Sequence, residues 1–266
     1  VFATTRRAEG GASLRELAAA RSWKLETPVL DVSRDDSVAA AVDEVLGKTG
    51  GRLDVLVNNA GYYASGPLEE TSPDELRAQL ETNVIGVHRV TRSVLPSMRA
   101  RRAGRIVVLG SVSGRVAVPI VGPYHASKWA LEGMIEAWRL ELIPFGIQVA
   151  LVEPGPYATS LYANEKLAAA TAAAGAGSPY AGLVAAYQRQ LGRIKRARDL
   201  GPLIDVIERA ATVRNPRLRW PVGPTSFTGG RLRALVPDRL YEWIMRLGFP
   251  IRRLPPAAED RDGMRG

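Results

Sequence analysis

"LDVLVNNAG" (Leu53–Gly61) is an apolar run that ends in a polar, glycine-closed turn. Val55, Leu56 and Val57 follow one another without alternation, the mark of a strand covered on both faces. "GRIVVLGS" (Gly104–Ser111) and "IQVALVEPG" (Ile147–Gly155) have the same build. Between them lie two long helical patterns. Ser72–Met98 opens with a capping box, Ser72 to Glu75, with Pro73 at the first helical position. Tyr124–Gly146 is stopped by Pro144 and Gly146. Apolar strands that alternate with helices imply an α/β fold, a parallel sheet with helices on both faces.

The same alternation extends upstream. "VFATT" (Val1–Thr5) reads as a short strand, residues 13–22 as a helix, and 25–32 as a strand ending at Asp31. Residues 35–50 read as an amphipathic helix, with an acidic start, a glycine stop and apolar Val38, Val42, Val45 and Leu46. In such sheets ligands bind at the C-terminal ends of the strands. Asp31, Asn58–Gly61, Ser111 and Pro154–Gly155 all fall there. Downstream the pattern weakens. An Ala/Gly-rich stretch (166–182) suggests a mobile helix or lid, 217–223 a last strand, and 231–249 an amphipathic helical region broken at Pro237. The end is expected to be disordered.

Composition narrows the function. The 266 residues carry a net charge of +9. Residues 193–266 hold 16 Lys/Arg against 8 Asp/Glu, so nearly all the excess sits there. It has no aromatic interleaving and no reading motif, which argues against nucleic acid. No cysteine is present, and the two histidines, His88 and His125, are far apart in sequence, so no metal site is expected. No apolar run has the ~18 residues of a membrane span, and no charged-then-apolar leader is seen. The expected compartment is the cytoplasm.

"YHASK" (Tyr124–Lys128) carries the sharpest chemistry. Positions i and i+4 of a helix share a face, so Tyr124 and Lys128 project together. A nearby ammonium favours a phenolate, and such a pair exchanges a proton with an alcohol or ketone oxygen. The plain alternative is a surface pair. Ser111, just past a strand, offers a hydroxyl to the same oxygen; the plain alternative is a turn serine.

"NNAG" (58–61), Asn83, Ser111, "YHASK" and "PGPYAT" (154–159), in this order and spacing, resemble the short-chain dehydrogenase/reductase family over about residues 1–160. Longer stretches, such as "GSVSGRVAVPIVGPYHASKWALEG" (110–133), are similar to its 17β-hydroxysteroid and retinol dehydrogenase branch. The resemblance implies a Rossmann-type doubly wound sheet, here over residues 1–230 with a substrate lid at about 160–200, followed by a basic C-terminal helix and tail (231–266). It implies an oxidoreductase that interconverts a secondary alcohol and a ketone, or a retinol-like alcohol and an aldehyde, on an apolar substrate. The rival reading is a non-catalytic nucleotide sensor or scaffold on the same fold.

Roles carry over residue by residue. Tyr124 is the acid–base group, Lys128 lowers its pKa and binds the nicotinamide ribose, and Ser111 orients the substrate oxygen. Asn83 holds a relay water; the plain alternative is a structural Asn. Asn58, Ala60 and Gly61 line the adenosine side, and Asp31 meets the adenine, or else caps a helix. Pro154, Gly155 and Thr159 run beside the nicotinamide. Val116, Val118, Ile120, Tyr157, Leu161 and Tyr162 are apolar or aromatic candidates for the substrate pocket, with Tyr157 the one chosen as a binding residue. Thr5 stands where an acid would select NAD(H), and the adjacent Arg6 can pair with a 2′-phosphate, so NADP(H) is the expected cofactor, with NAD(H) as the alternative. Two solvated loop arginines, Arg6 and Arg7, are the plain reading.

A homodimer or tetramer built on helices 72–100 and 124–143 is a further implication. So is peripheral membrane contact through Leu232, Leu235, Leu240, Trp243, Ile244 and Leu247; the alternative is a helix packed on the core or on a subunit partner. The family's first strand and its T-G-x-x-x-G-x-G turn are absent. The chain is therefore expected to be N-terminally truncated, with a break in its sheet and no cradle for the cofactor pyrophosphate.

Overall fold

The computed structural model describes residues 1–157, 159–194 and 199–251. Helices α1 (Ala12–Ala20) and α2 (Asp35–Lys48) precede strands β1 (Val55–Asn58) and β2 (Ala64–Ser65). Then come α3 (Pro73–Leu80), α4 (Gly86–Ala100), β3 (Gly104–Leu109), α5 (Gly122–Glu141) and β4 (Ile147–Pro154). The rest comprises α6 (Ser160–Ala163), β5 (Lys166–Leu167), α7 (Ala169–Ala174), α8 (Ala181–Ile194), α9 (Gly201–Thr212), β6 (Arg219–Val222), α10 (Pro224–Arg233) and α11 (Asp238–Gly248). The tail beyond residue 251 lies outside the described residues.

The main sheet runs β1-β3-β4-β6, every pair parallel. Its two faces are both covered, as the unbroken apolar strands require. Ile106 and Val108 of β3, with Val149 and Leu151 of β4, meet α2, α4 and α5 through Val42, Val94 and Ile135. Val107, Ala150 and Val152, one residue out of phase, meet Ala210 of α9 and Trp220 of β6. Each such side chain, fully buried, contributes about 1.5–3 kcal/mol.

Several local predictions appear as drawn. The Glu75 N–H donates to Ser72 Oγ at 3.2 Å and the Ser72 N–H to Glu75 Oε2 at 2.8 Å. Gly146 ends the segment after α5 in the left-handed region (φ 67°), where a Cβ would lie 2.4 Å from the Arg102 carbonyl oxygen.

Three elements differ from the sequence reading. The expected single helix 72–98 is interrupted by a π turn at Glu81–Ile85. The Ala/Gly-rich stretch is not one helix but β5, paired with β2, then α7 and a 3-10 turn. The expected buried strand at 53–61 is only half covered: Val57 is 41% exposed in mid-strand. The reason is its outer edge. Residues 1–5 and 26–30 form a separate parallel ribbon, bridged at Phe2–Glu26 and Thr5–Val29. Among the described residues no strand joins that ribbon to β1, so the expected break in the sheet is present.

Candidate active site

A cavity of about 1210 Å³ opens at the C-terminal ends of β1, β3 and β4. Its far end is lined by Thr4, Arg6, Asp31 and Ser33, its middle by Asn59, Ala60 and Gly61, and its near end by Ser111, Tyr124 and Lys128. Pro154, Gly155, Tyr157, Thr159, Leu161 and Tyr162 complete the wall.

Helix α5 places Tyr124 and Lys128 one turn apart, with Lys128 Nζ 5.6 Å from the Tyr124 ring centre. Lys128 Nζ donates to the Leu109 carbonyl at 2.7 Å, which ties α5 to the end of β3. Ser111 acts on the phenol of Tyr124, lowering its pKa. Ser111 Oγ also accepts the Ser113 N–H at 3.1 Å, fixing its rotamer.

Burial dominates the electrostatics of both groups. Tyr124 is 4% and Lys128 8% exposed. Burial pushes the phenol well above its usual range, and the hydrogen bond from Ser111 offsets this only in part. Burial also pulls Lys128 down to about 8. In both groups desolvation is the largest effect on the ionised form.

Asn83 is delivered by the π turn, an extra residue in the helix that re-aims its side chain. Its Oδ1 accepts the Tyr62 N–H at 3.0 Å, and its Nδ2 donates to the Tyr62 carbonyl and to Ser127 Oγ, both at 3.1 Å. It locks the turn after β1 onto α5. A Cβ at Gly61 would lie 3.1 Å from Asn83 Oδ1, so a glycine suits this close approach. Asn83 makes no direct hydrogen bond to Lys128 in the structure.

The far end is polar. Asp31 accepts from the backbone N–H and hydroxyl of Ser33 at 3.0 and 2.6 Å. These bonds, chiefly the hydroxyl's, hold its carboxyl below the usual range, with a smaller pull from Arg6 and Arg34. Asp31 caps its own turn rather than α2, whose N-cap is Arg34.

One expected residue is placed differently. Asn58 does not line the cavity; its Nδ2 donates to Thr91 Oγ1 of α4 at 3.0 Å, and Asn59 lines the wall instead. The doubled Asn of "NNAG" gives no sign of which one turns inward. Tyr157 borders the cavity but also packs among Val152, Trp220 and Val222.

Sequence reasoning missed Tyr63 and His125. Tyr63 packs its ring 4.6 Å from Tyr124 and 5.1 Å from Tyr162. His125 Nδ1 meets the Ser113 carbonyl, and its Nε2 accepts the Val118 N–H, both at 2.9 Å. That pins the Ser111 loop to α5, and burial keeps the ring neutral by lowering its pKa. Their only sequence signals are an aromatic pair after the glycine turn and a histidine beside Tyr124.

The comparisons with known proteins come from both sequence and structure. The family profile described as short chain dehydrogenase matches residues 1–169. The uncharacterized oxidoreductase YusZ of Bacillus subtilis is 36% identical over 251 residues, 92% of this chain and 88% of that protein. The 3-ketodihydrosphingosine reductase of Bacteroides thetaiotaomicron is 35% identical, covering 86% and 84%. The human 17-beta-hydroxysteroid dehydrogenase type 1 is 43% identical over 163 residues, 60% of this chain and 49% of that protein. Among solved structures, a short-chain dehydrogenase from Streptomyces avermitilis superposes with a TM-score of 0.75 at 33% identity, covering 93% of this chain and 88% of its own. A metagenomic short-chain oxidoreductase in complex with NADP gives 0.55 at 34% identity, covering 58% and 70%.

Proposed function

Because the chain belongs to the short-chain dehydrogenase family of oxidoreductases, we propose that it interconverts a secondary alcohol and a ketone on an apolar substrate, with NADP(H) as the preferred cofactor. The observation that carries this reading is the convergence of Ser111, Tyr124 and Lys128 at one end of a long cavity whose other end holds Arg6. Relatives whose names specify a 3-ketodihydrosphingosine and a 17-beta-hydroxysteroid support an apolar substrate. The wall formed by Leu161 and Tyr162, packed against Tyr63, agrees with it.

The cavity suits a dinucleotide at both ends. Arg6 faces the place for a 2′-phosphate, and Gly61 leaves room for close backbone approach. Between them, the described residues offer no Gly-rich turn for a pyrophosphate. When bound, the nicotinamide supplies or accepts the hydride. Every other task falls to the chain. Ser111 donates a hydrogen bond to the substrate carbonyl oxygen. Tyr124 gives that oxygen its phenolic proton in reduction and takes it back in oxidation. Lys128, fixed by Leu109, holds the ribose side and balances the phenolate left behind. Segment 160–194 serves as the lid over the substrate.

The test is NADPH oxidation, followed by absorbance, across a panel of ketones that includes long-chain and polycyclic ones. Turnover that Tyr124→Phe abolishes while nucleotide binding persists supports the reading. Nucleotide binding without turnover across the panel would favour the sensor or scaffold instead.

Two assembly features belong to the same proposal. The helices 72–100 and 124–143 pair with those of a second copy. Helix α11 rests on a membrane surface; its Leu240, Trp243, Ile244 and Leu247 are exposed rather than packed on the core. No helix among the described residues is long and apolar enough to cross a membrane.

A further inference from the structure

Behind the nicotinamide-side wall lies a second cluster of ionisable groups that the mechanism does not use. Glu132 follows Lys128 by one helical turn and Tyr124 by two, so all three lie along one side of α5. Glu153 is the residue of β4 just before Pro154–Gly155. The two carboxyl groups act on one another: Glu132 raises the pKa of Glu153 both by its charge and by hydrogen bonding. Their side chains are 4% (Glu153) and 12% (Glu132) exposed.

A carboxylate only accepts hydrogen bonds, so two in contact need a proton between them or a donor from elsewhere. Glu132 Oε2 has one: Arg219 Nε donates to it at 2.9 Å. Glu132 Oε1 and Glu153 Oε1 are both buried without a donor. The nearest guanidinium to Glu153, Arg115, stands at 3.8 Å, beyond hydrogen-bond reach. Gly114 closes the remaining side: a Cβ there would lie 3.2 Å from Glu132 Oε1. Among the described residues, the charged groups facing the pair are Arg115, Arg219 of β6 and Glu136 of α5. From α10, Ser226 Oγ donates to the Glu153 carbonyl at 2.5 Å, leaving the carboxyl untouched.

We propose that Glu132 and Glu153 share a single proton, and that this bridged pair positions the helix carrying Tyr124 and Lys128 against the Pro154–Gly155 turn. With Arg219 on Glu132, the proton resides on Glu153. Burial, reinforced by the charge of Glu132, pushes Glu153 up to about 8, against the weaker opposing pull of Arg115 and Arg219. Removing the proton leaves two adjacent buried charges, which repel and part the helix from the turn. The positioning half rests on the oxidoreductase reading; the shared proton does not.

Between the ordinary carboxylate range and about 8, the folded chain holds one proton that the unfolded chain has lost. The bridge's stabilisation is therefore complete at acid pH and is lost as pH rises to about 8. Urea unfolding of the full chain from about pH 5 to 9 reads this directly. Relative to Glu153→Gln, whose amide donates without titrating, the parent's folding constant should fall up to about tenfold per pH unit in that window. Glu153→Ala should be weaker at low pH, with Glu153→Gln restoring most of the loss. If Glu153→Gln does not fold, Glu132→Gln provides the same comparison. Parallel pH curves for parent and Gln variant would overturn the shared proton. So would stabilisation by Mg²⁺ or Ca²⁺ that the Gln variant lacks, since that marks a cation site. Hydrogen exchange, corrected for intrinsic rate, tests positioning. Peptides over 122–132 and 153–156 should open selectively as pH passes about 8 in the parent but not in Glu153→Gln. A uniform change along the chain would reject a positioning role. A parent that folds but turns over no ketone counts against the oxidoreductase reading alone.

Discussion

Lys128 is held where an ammonium is costly, and the chain accepts that cost for the site. Its pKa is pulled from the ordinary 10.5 to about 8 by burial, so the folded chain binds fewer protons than the unfolded one between those values. Stability must then rise with pH through that window. Lys128→Met should abolish this rise in urea unfolding and be the more stable protein at neutral pH, while turnover drops by a factor of about 10²–10⁴. At the opposite end, Arg6→Ala should cost NADPH about tenfold in affinity and leave NADH nearly unchanged, measured by cofactor fluorescence; a charge-assisted bond of about 1.5–3 kcal/mol is at stake. Equal losses for both cofactors would mean that Arg6 has no part in choosing between them. The pairing of Tyr124 with Lys128 was legible because four residues along a helix is a fixed geometry. The partners of Asn83 were not. Its bonds to Tyr62 and Ser127 span 21 and 44 residues of chain, a separation that no local pattern encodes.

Strand β1 is the element most exposed to misassociation. Its outer edge presents unpaired backbone groups and Val57, a template for pairing with another chain. Val57→Lys should reduce aggregation of the chain, by light scattering, without lowering its unfolding midpoint by more than about 1 kcal/mol equivalent. Helix α11 presents a different surface. Trp243, 57% exposed, lies one position from Ile244 and four from Leu247, with Arg239 and Arg246 nearby. Co-sedimentation with anionic vesicles should be strong for the parent and fall several-fold for Trp243→Ala. Strands β1, β3, β4 and β6, the start of α3 and the stop after α5 were legible because apolar runs, proline, glycine and capping residues act locally; the two-residue strands β2 and β5 were not. The π turn was not, since one extra residue inside a helix leaves no compositional trace.

For the molecule as a whole, the exposed face of α5 is the place to look for a second copy. Trp129 and Leu140 are exposed there, and Ile143 continues the stripe just past the helix. Trp129→Glu with Leu140→Glu should lower the apparent mass in size-exclusion chromatography; an unchanged mass would place any interface elsewhere. The residues from Leu53 onward determined the α/β class, the parallel sheet and the Ser111, Tyr124, Lys128 triad, because buried strands, helix periodicity and an i, i+4 spacing are local properties of a chain. Only the tertiary structure decided which asparagine faces the cavity, that burial rather than a neighbouring charge governs Tyr124, and that Glu132 meets Glu153. Each of those depends on what is packed around a side chain, and hence on how much water the completed fold leaves beside it.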